Sequence, residues 1–256
     1  MNQLHTNFCF CTLALGTSYR LMTKRLAEDL QRYAPGIKLV VGTDLPSNFA
    51  DCGNIIPFCL QQTGILHCYH DKRFVFLEAL SRFDTAIFID ADTRIIAELP
   101  QAIDSTPGII GAFNEPLIPH VQKYTPERLD RLAKIATKLN LELADSVFVG
   151  EALIIISRHQ GQEQEFLDWW GRIGTYLELR GIYAGSGNII GLAALKTGFT
   201  ISRTATWEQL NQAKQHLDAS GNPKTQWQQF RRRLLYHYRL NKTRLLALQD
   251  FDFYYR

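Results

Sequence analysis

Short, continuous hydrophobic runs alternate along the chain with longer segments whose apolar side chains recur every three or four positions. The first pattern is that of strands buried on both faces, and the second that of helices with one apolar stripe. Their alternation predicts an α/β fold, a single domain with a mostly parallel central sheet flanked by helices. Residues 7–15 read as the first strand and 17–33 as a helix with Met22, Leu26, Leu30 and Tyr33 on one face. Pro35-Gly36 stops that helix, and 37–41 form a second strand closing on Gly42-Thr43-Asp44. After a looser stretch, 70–83 is helical, 85–89 is a buried strand ending abruptly at Asp90, and 108–113 is another strand. Thr125-Pro126 is expected to open a helix, as a hydroxyl cap followed by proline at the first helical position. Residues 152–157, 162–179 and 188–196 read as strand, helix and short helix. Beyond Thr204 the strand signal fades, and 227–256 begin as a basic helix and end in aromatics. The organisation expected is one domain over 1–226 with 227–256 packed on it as a basic, aromatic helical extension.

Composition narrows the class without naming a chemistry. With 256 residues, 46% hydrophobic and 21% charged, the chain is set apart from disordered, collagenous and disulfide-stapled proteins. Lys+Arg 28 against Asp+Glu 25 leaves +3, too balanced to point to nucleic acid, for which there is also no recognition motif. Cys9, Cys11, Cys52, Cys59 and Cys68 are odd in number and lack framework spacing, which suits buried thiols in a reducing compartment. The start MNQLHTNFCF has neither the basic opening nor the long apolar stretch of a signal peptide. No apolar run approaches the ~18 residues that cross a bilayer. A cytoplasmic location is expected.

The chemistry concentrates in TAIFIDADTRI, residues 85–95. On an extended backbone, side chains at i and i+2 point to one side, so Asp90 and Asp92 are expected to converge where the strand ends. That end is where open α/β sheets bind ligands. Two carboxylates there repel unless a divalent cation, itself carrying phosphate, offsets them. The plainer alternative is two aspartates capping a turn, with no metal.

The order of strand, helix, strand ending in Asp, Lys/Arg-bearing helix and hydrophobic strand with D-x-D resembles the GT-A glycosyltransferases. Within them it is most similar to the glycogenin and bacterial lipopolysaccharide galactosyltransferase group. The resemblance implies transfer of a hexose from a nucleotide-diphosphate sugar, UDP-sugar being the expected donor, to a carbohydrate or lipid-linked acceptor. It makes Asp90 and Asp92 ligands of Mn²⁺ (or Mg²⁺), with the Ala91 backbone close to the ribose. Thr12, Leu13 and Ala14 would border the nucleoside, Asp44 would contact the base, and Lys72 or Arg73 would supply positive charge. The family ends in H-x-x-G-x-x-K-P-W, and this chain has HLDASGNPKTQW over 216–227 with a wider His–Gly gap. His216, with His237 in reserve, becomes the third metal ligand, and Lys224 contacts phosphate. Glu151 and Asn188 would be catalytic, facing the acceptor or the reacting sugar. The galactosyltransferase group carries an Asp-Gln pair where this chain has Gly187-Asn188, so retention or inversion stays open.

Other readings compete. Asp90-Ala91-Asp92-Thr93 is also similar to haloacid-dehalogenase-type phosphatases, with Asp90 as nucleophile, and a catalytically inactive GT-A-like binding protein is the third option. Zinc at His67, Cys68, His70 and Cys59 fits no strong spacing. Trp169 and Trp170 are expected in packing, and Trp207 and Trp227 at a groove. Arginines interleaved with aromatics over 230–244 suit peripheral contact with the inner face of a membrane, the alternative being a packed terminal helix.

Overall fold

The computed structural model describes residues 7–100, 102–111, 115–217 and 225–256. In chain order the strands are β1 (Phe8–Ala14), β2 (Leu39–Thr43), β3 (Ile55–Cys59), β4 (Thr85–Ile89), β5 (Thr93–Ile95) and β6 (Gly108–Gly111). They continue as β7 (Glu115–Pro116), β8 (Val147–Phe148), β9 (Leu153–Ser157), β10 (Ile201–Ser202) and β11 (Lys214–His216). The helices are α1 (Thr17–Tyr33), α2 (Lys72–Leu80), α3 (Leu117–Tyr124), α4 (Leu129–Lys138) and α5 (Gln162–Glu178). After them come α6 (Ser186–Thr197), α7 (Ala205–Gln212), α8 (Gln226–Ala247) and α9 (Phe251–Tyr255).

Seven strands form the central sheet in the order β10-β6-β9-β4-β1-β2-β3. All neighbours pair parallel except β9, which runs antiparallel between β4 and β6. The strand period of two divides β1 between two cores: Cys9, Cys11 and Leu13 face one helical layer, and Phe8, Phe10 and Ala14 the other. The first layer contains α2, α5 and α6, whose Phe76, Trp170, Ile173 and Ile190 are fully buried. The second contains α1 through Leu26 and Leu30, and α7 through Trp207 and Leu210. Continuous apolar strands follow from this two-sided burial, as their composition required.

Several expectations are corrected. Thr125 makes no side-chain cap; Pro126–Arg128 is a 3₁₀ turn, and α4 starts only at Leu129. The looser stretch contains edge strand β3, where Pro57 is tolerated because β3 has a neighbour on one side alone. A strand also forms beyond Thr204, since β11 pairs antiparallel with β5. Trp207 reaches no groove: it is 4% exposed, and its indole N–H donates to the Leu153 carbonyl at 3.0 Å. Trp227 stands exposed and stacks on Phe230.

The carboxyl-terminal segment packs back on the first layer. Phe253 meets Trp169 and Tyr176, Arg172 pairs with Asp250, and Lys138 and Arg180 donate to the Asp252 and Tyr254 carbonyls. Among the described residues no helix is long and apolar enough to cross a membrane.

Candidate active site

Strand β4 stops at Ile89 because the backbone turns: the Thr93 amide donates to the Asp90 carbonyl at 3.1 Å. Asp90 and Asp92 flank this turn, and each has a partner of its own, Lys72 for Asp90 and His216 for Asp92. Asp90 faces Lys72, the first residue of α2. The lysine Nζ stands 2.9 Å from Asp90 Oδ1 and 3.2 Å from the Glu151 carbonyl oxygen, and 4.8 Å over the Phe88 ring. Burial alone would favour neutral lysine, but the Asp90 and Glu151 carboxylates outweigh it and hold its pKa above the ordinary value. Lys72 therefore keeps its charge at any working pH.

Glu151 arrives by topology. Because β9 is antiparallel to its neighbours, its beginning lies where their carboxyl ends lie, and the Asp90 amide donates to the Ala152 carbonyl at 3.3 Å. The residue ahead of Ala152 is thereby delivered to the ligand edge. Glu151 Oε2 is buried with no hydrogen-bond partner among the described residues. Burial pushes its carboxyl pKa up, Lys72 opposes this, and Asp90 adds to it. Two phenols complete the surroundings. Burial and then the Asp92 charge, with a smaller contribution from Asp90, raise the pKa of Tyr19; burial and then Glu151 raise that of Tyr69. Lys214 is held below its ordinary pKa by burial, against the pull of Asp90. Tyr19, Tyr69 and Lys214 carry no motif, and sequence reasoning missed them.

Asp92 is 8% exposed and faces the strand pair β5–β11, whose register sets His216 opposite Thr93. The Leu217 amide donates to the Asp92 carbonyl at 2.8 Å, and His216 Nδ1 stands 3.5 Å from Asp92 Oδ1. This ladder is anchored to α1. Asp29 accepts from Arg94 Nε at 2.5 Å, from the second Arg94 nitrogen at 2.8 Å and from the Ile95 amide at 3.1 Å. Adjacent ligands on one octahedral cation lie about 3 Å apart, so the Asp92 and His216 atoms are close to that spacing. Among the described residues no group of three His, Cys, Asp or Glu side chains is placed to hold a metal ion, and Asp90 Oδ1 accepts from Lys72. Mg²⁺ and its like are commonly held by one or two carboxylates plus substrate phosphates, and this donor set fits that pattern.

The remaining candidates lie around this edge. Thr12, Leu13 and Ala14 close β1, and the Thr12 hydroxyl is buried without a partner among the described residues. Ala91 is buried within the turn. Asp44, at the end of β2, accepts from the Gly16 amide at 3.1 Å and from Arg20, which also reaches Asn48. Burial works against its ionisation, but the bonds from Arg20 and Gly16 prevail and lower its pKa. Asn188 sits in the first turn of α6, its Oδ1 buried without a partner among the described residues, and the neighbouring Gly187 carbonyl accepts from the Val149 amide at 3.3 Å. A Cβ at Gly187 would meet the Val149 carbonyl oxygen at 2.4 Å, so glycine is what lets α6 approach the segment leading to Glu151.

Two candidates are placed elsewhere. Of the alternatives Lys72 and Arg73, Arg73 lies away from the carboxylate pair, between Phe74 and Gly171, with Asp71, Asp168 and Tyr254 as its charged and phenolic neighbours. His237 lies on α8, its ring against that of Tyr236. Lys224 falls outside the described residues.

This arrangement of a parallel sheet with one reversed strand, and acids gathered at its carboxyl edge, is the GT-A-like glycosyltransferase fold. Among solved structures the chain resembles the galactosyltransferase LgtC in complex with donor and acceptor sugar analogs. The TM-score is 0.55 at 11% identity, over 90% of this chain and 95% of that one. It also resembles the bifunctional glycosyltransferase WbbM in its apo form, with a TM-score of 0.52 at 12% identity, over 88% of this chain and 48% of that one. No family model and no curated relative matches the sequence.

Proposed function

We propose that this protein is a glycosyltransferase that moves a hexose from a nucleotide-diphosphate sugar, with UDP-sugar the expected donor, to a carbohydrate or lipid-linked acceptor. The observation that carries this reading is the β5–β11 register, which sets His216 beside Asp92 at the same sheet edge as the Lys72–Asp90 pair. Asp92 and His216, with Asp90, would hold Mn²⁺ or Mg²⁺, which when bound supplies neutralisation of the charge on the departing diphosphate. Lys72 orients Asp90 and lends its own charge to the same place. Thr12, Leu13, Ala14, Ala91 and Asp44 border the space for the nucleoside. Glu151, buried and with a raised pKa, is suited to take the proton of an acceptor hydroxyl. Asn188 offers an unpaired amide oxygen for a sugar hydroxyl. The shared fold favours transfer over the phosphatase reading.

Isothermal titration with UDP is expected to show binding that depends on Mn²⁺ and is lost in Asp92→Ala, with the melting temperature changed by only a few degrees. Slow acceptor-free hydrolysis of UDP-sugar, abolished by Asp92→Ala, separates an enzyme from an inactive binding protein. Metal-independent UDP binding, or aryl-phosphate turnover abolished by Asp90→Asn, would overturn the reading.

A peripheral membrane contact belongs to the same proposal. Trp227, Phe230, Leu234, Tyr238 and Leu245 are exposed at spacings of three, four, four and seven along α8, one helical stripe, with Arg231 and Arg233 beside it. Basic and aromatic side chains together suit anionic headgroups, and the free thiols suit the reducing, cytoplasmic side. Flotation with anionic vesicles should be salt-sensitive and weakened about tenfold or more in Trp227→Ser/Phe230→Ser. Retention equal to the parent removes the contact.

A further inference from the structure

A cavity of about 640 Å³ lies between α2, α5 and α8, and Asp90, Asp92, Glu151 and Lys72 take no part in its lining. Its walls carry Arg73, Arg239 and Lys242. Among the described residues no carboxylate comes within ion-pair distance of these three, although Asp71 and Asp168 act on Arg73, and Asp71 and Glu178 on Arg239, from farther off; Arg172 at the margin is paired with Asp250. Arg239 commits only its Nε, which donates to the Ile65 carbonyl at 3.1 Å. His70 lines the same space, is 6% exposed, and has both ring nitrogens buried without a hydrogen-bond partner among the described residues. Burial, then Arg73 and Lys72, lower its pKa to about 4, so the ring is neutral with one donor and one acceptor unused. A buried donor and acceptor left unmade are costly.

The surrounding helix is cut to fit these side chains. An added Cβ at Gly171 would stand 2.6 Å from the Arg73 guanidinium carbon, and one at Gly174 would stand 3.1 Å from the His70 ring. Glycine inside a helix weakens it, and here two glycines one turn apart make room for the Arg73 guanidinium and for the His70 ring, whose nitrogens have no hydrogen-bond partner among the described residues. Glu178 also lines the cavity and accepts from the Ile65 amide at 3.2 Å on both oxygens. Burial pushes its pKa up to about 8, so near neutrality it does not cancel the cations.

We propose that this cavity is a second ligand site, separate from the carboxylate edge, for a phosphate-bearing molecule. Its phosphoryl oxygens take the N–H groups of Arg73, Arg239 and Lys242, and His70 hydrogen-bonds the ester side. Planar guanidinium forks suit phosphate, and the Phe74 and Tyr254 rings offer an apolar wall for the rest of the ligand. The inference stands on the cavity alone and does not depend on the transferase reading.

The test titrates inorganic pyrophosphate, and separately phosphatidic-acid against phosphatidylcholine vesicles, into the full chain with divalent cations chelated. The parent is compared with His70→Phe, Gly171→Ala, Lys242→Gln and Asp92→Ala. Binding at least tenfold weaker in His70→Phe and Lys242→Gln, and unchanged in Asp92→Ala, is expected, with His70→Phe melting no lower than the parent. If His70→Phe does not fold, Gly171→Ala, whose methyl displaces the Arg73 guanidinium, takes its place with the same expected loss. Pyrophosphate binding assigns a small phosphorylated ligand, and binding to phosphatidic-acid vesicles alone assigns a lipid headgroup; both support the site when the internal variant removes them. Parental affinity in the internal variant, loss confined to Asp92→Ala, or no binding of either probe overturns it.

Discussion

Lys72 and Arg73 are consecutive, and successive side chains on a helix diverge by about 100°. Lys72 turns to the sheet edge, where Asp90 Oδ1 stands 2.9 Å from its Nζ and the Glu151 carboxyl adds a second attraction. Arg73 turns to the cavity under α8, where it has an aromatic face and a glycine slot but no carboxylate at pairing distance among the described residues. At the edge a cation and a carboxylate are in direct contact. In the cavity the carboxylates that act on Arg73 and Arg239 stand beyond pairing distance, and the imidazole nitrogens have no hydrogen-bond partner among the described residues. A charged dipeptide at the start of a helix thus divides into a group that holds structure and chemistry together and a group held in reserve.

The largest expected effect tests that division directly. Lys72→Met leaves Asp90 and Glu151 without their cation, and should lower unfolding free energy by about 3 kcal/mol. Donor-sugar turnover should fall by about 10²-fold in the same variant. Arg73→Met removes a charge whose carboxylate neighbours, Asp71 and Asp168, stand beyond pairing distance, and it should destabilise the protein less than Lys72→Met does. Equal destabilisation in the two variants, read by denaturant titration, would break the comparison.

A smaller effect sharpens it through pH. Glu178 has a folded pKa of about 8 against an ordinary 4.5, so the native state keeps a proton that the unfolded chain releases. Stability therefore falls as pH rises from about 4.5 towards about 8 and levels off above that. Glu178→Gln removes this slope while keeping an acceptor for the Ile65 amide. Its melting temperature relative to the parent should climb across that window, reaching a gain of roughly 2–4 °C or more at pH 8. A constant difference between parent and variant would place the proton elsewhere.

Much of the central sheet was legible because two-sided burial writes itself as unbroken apolar runs; β4 and α1 fall on the residues that periodicity marked. The half-buried edge strand β3 has Pro57 in its middle and no alternation, so it read as loop. Strands β5, β7, β8 and β11 are two or three residues long, too short for any period to register. The site divides in the same way. Asp90 and Asp92 stood out because acids directly follow a buried strand, and Glu151 because an acid sits beside one. The turn after β4 was not legible, and the meeting of Asp92 with His216 depends on pairing between segments far apart in the chain, for which neither segment has a local signal. Resemblance supplied His216 where periodicity could not. The cavity left still less trace: helix-interior glycines at 171 and 174 read as weakness in a helix until the side chains they accommodate are seen.

The reversed strand β9 has one further consequence. A sheet in which every strand ran the same way would present only strand endings at its working rim, and each new side chain there would need a full crossover to deliver it. By running backwards, β9 lets the polypeptide enter the rim from outside and hand over Glu151 before it dives into the interior. The segment that makes this entry is held by α6, whose Gly187 and Gly191 lie against the Val149 and Val147 carbonyls, so the placing of Glu151 depends on a helix far along the chain and not on β4 alone.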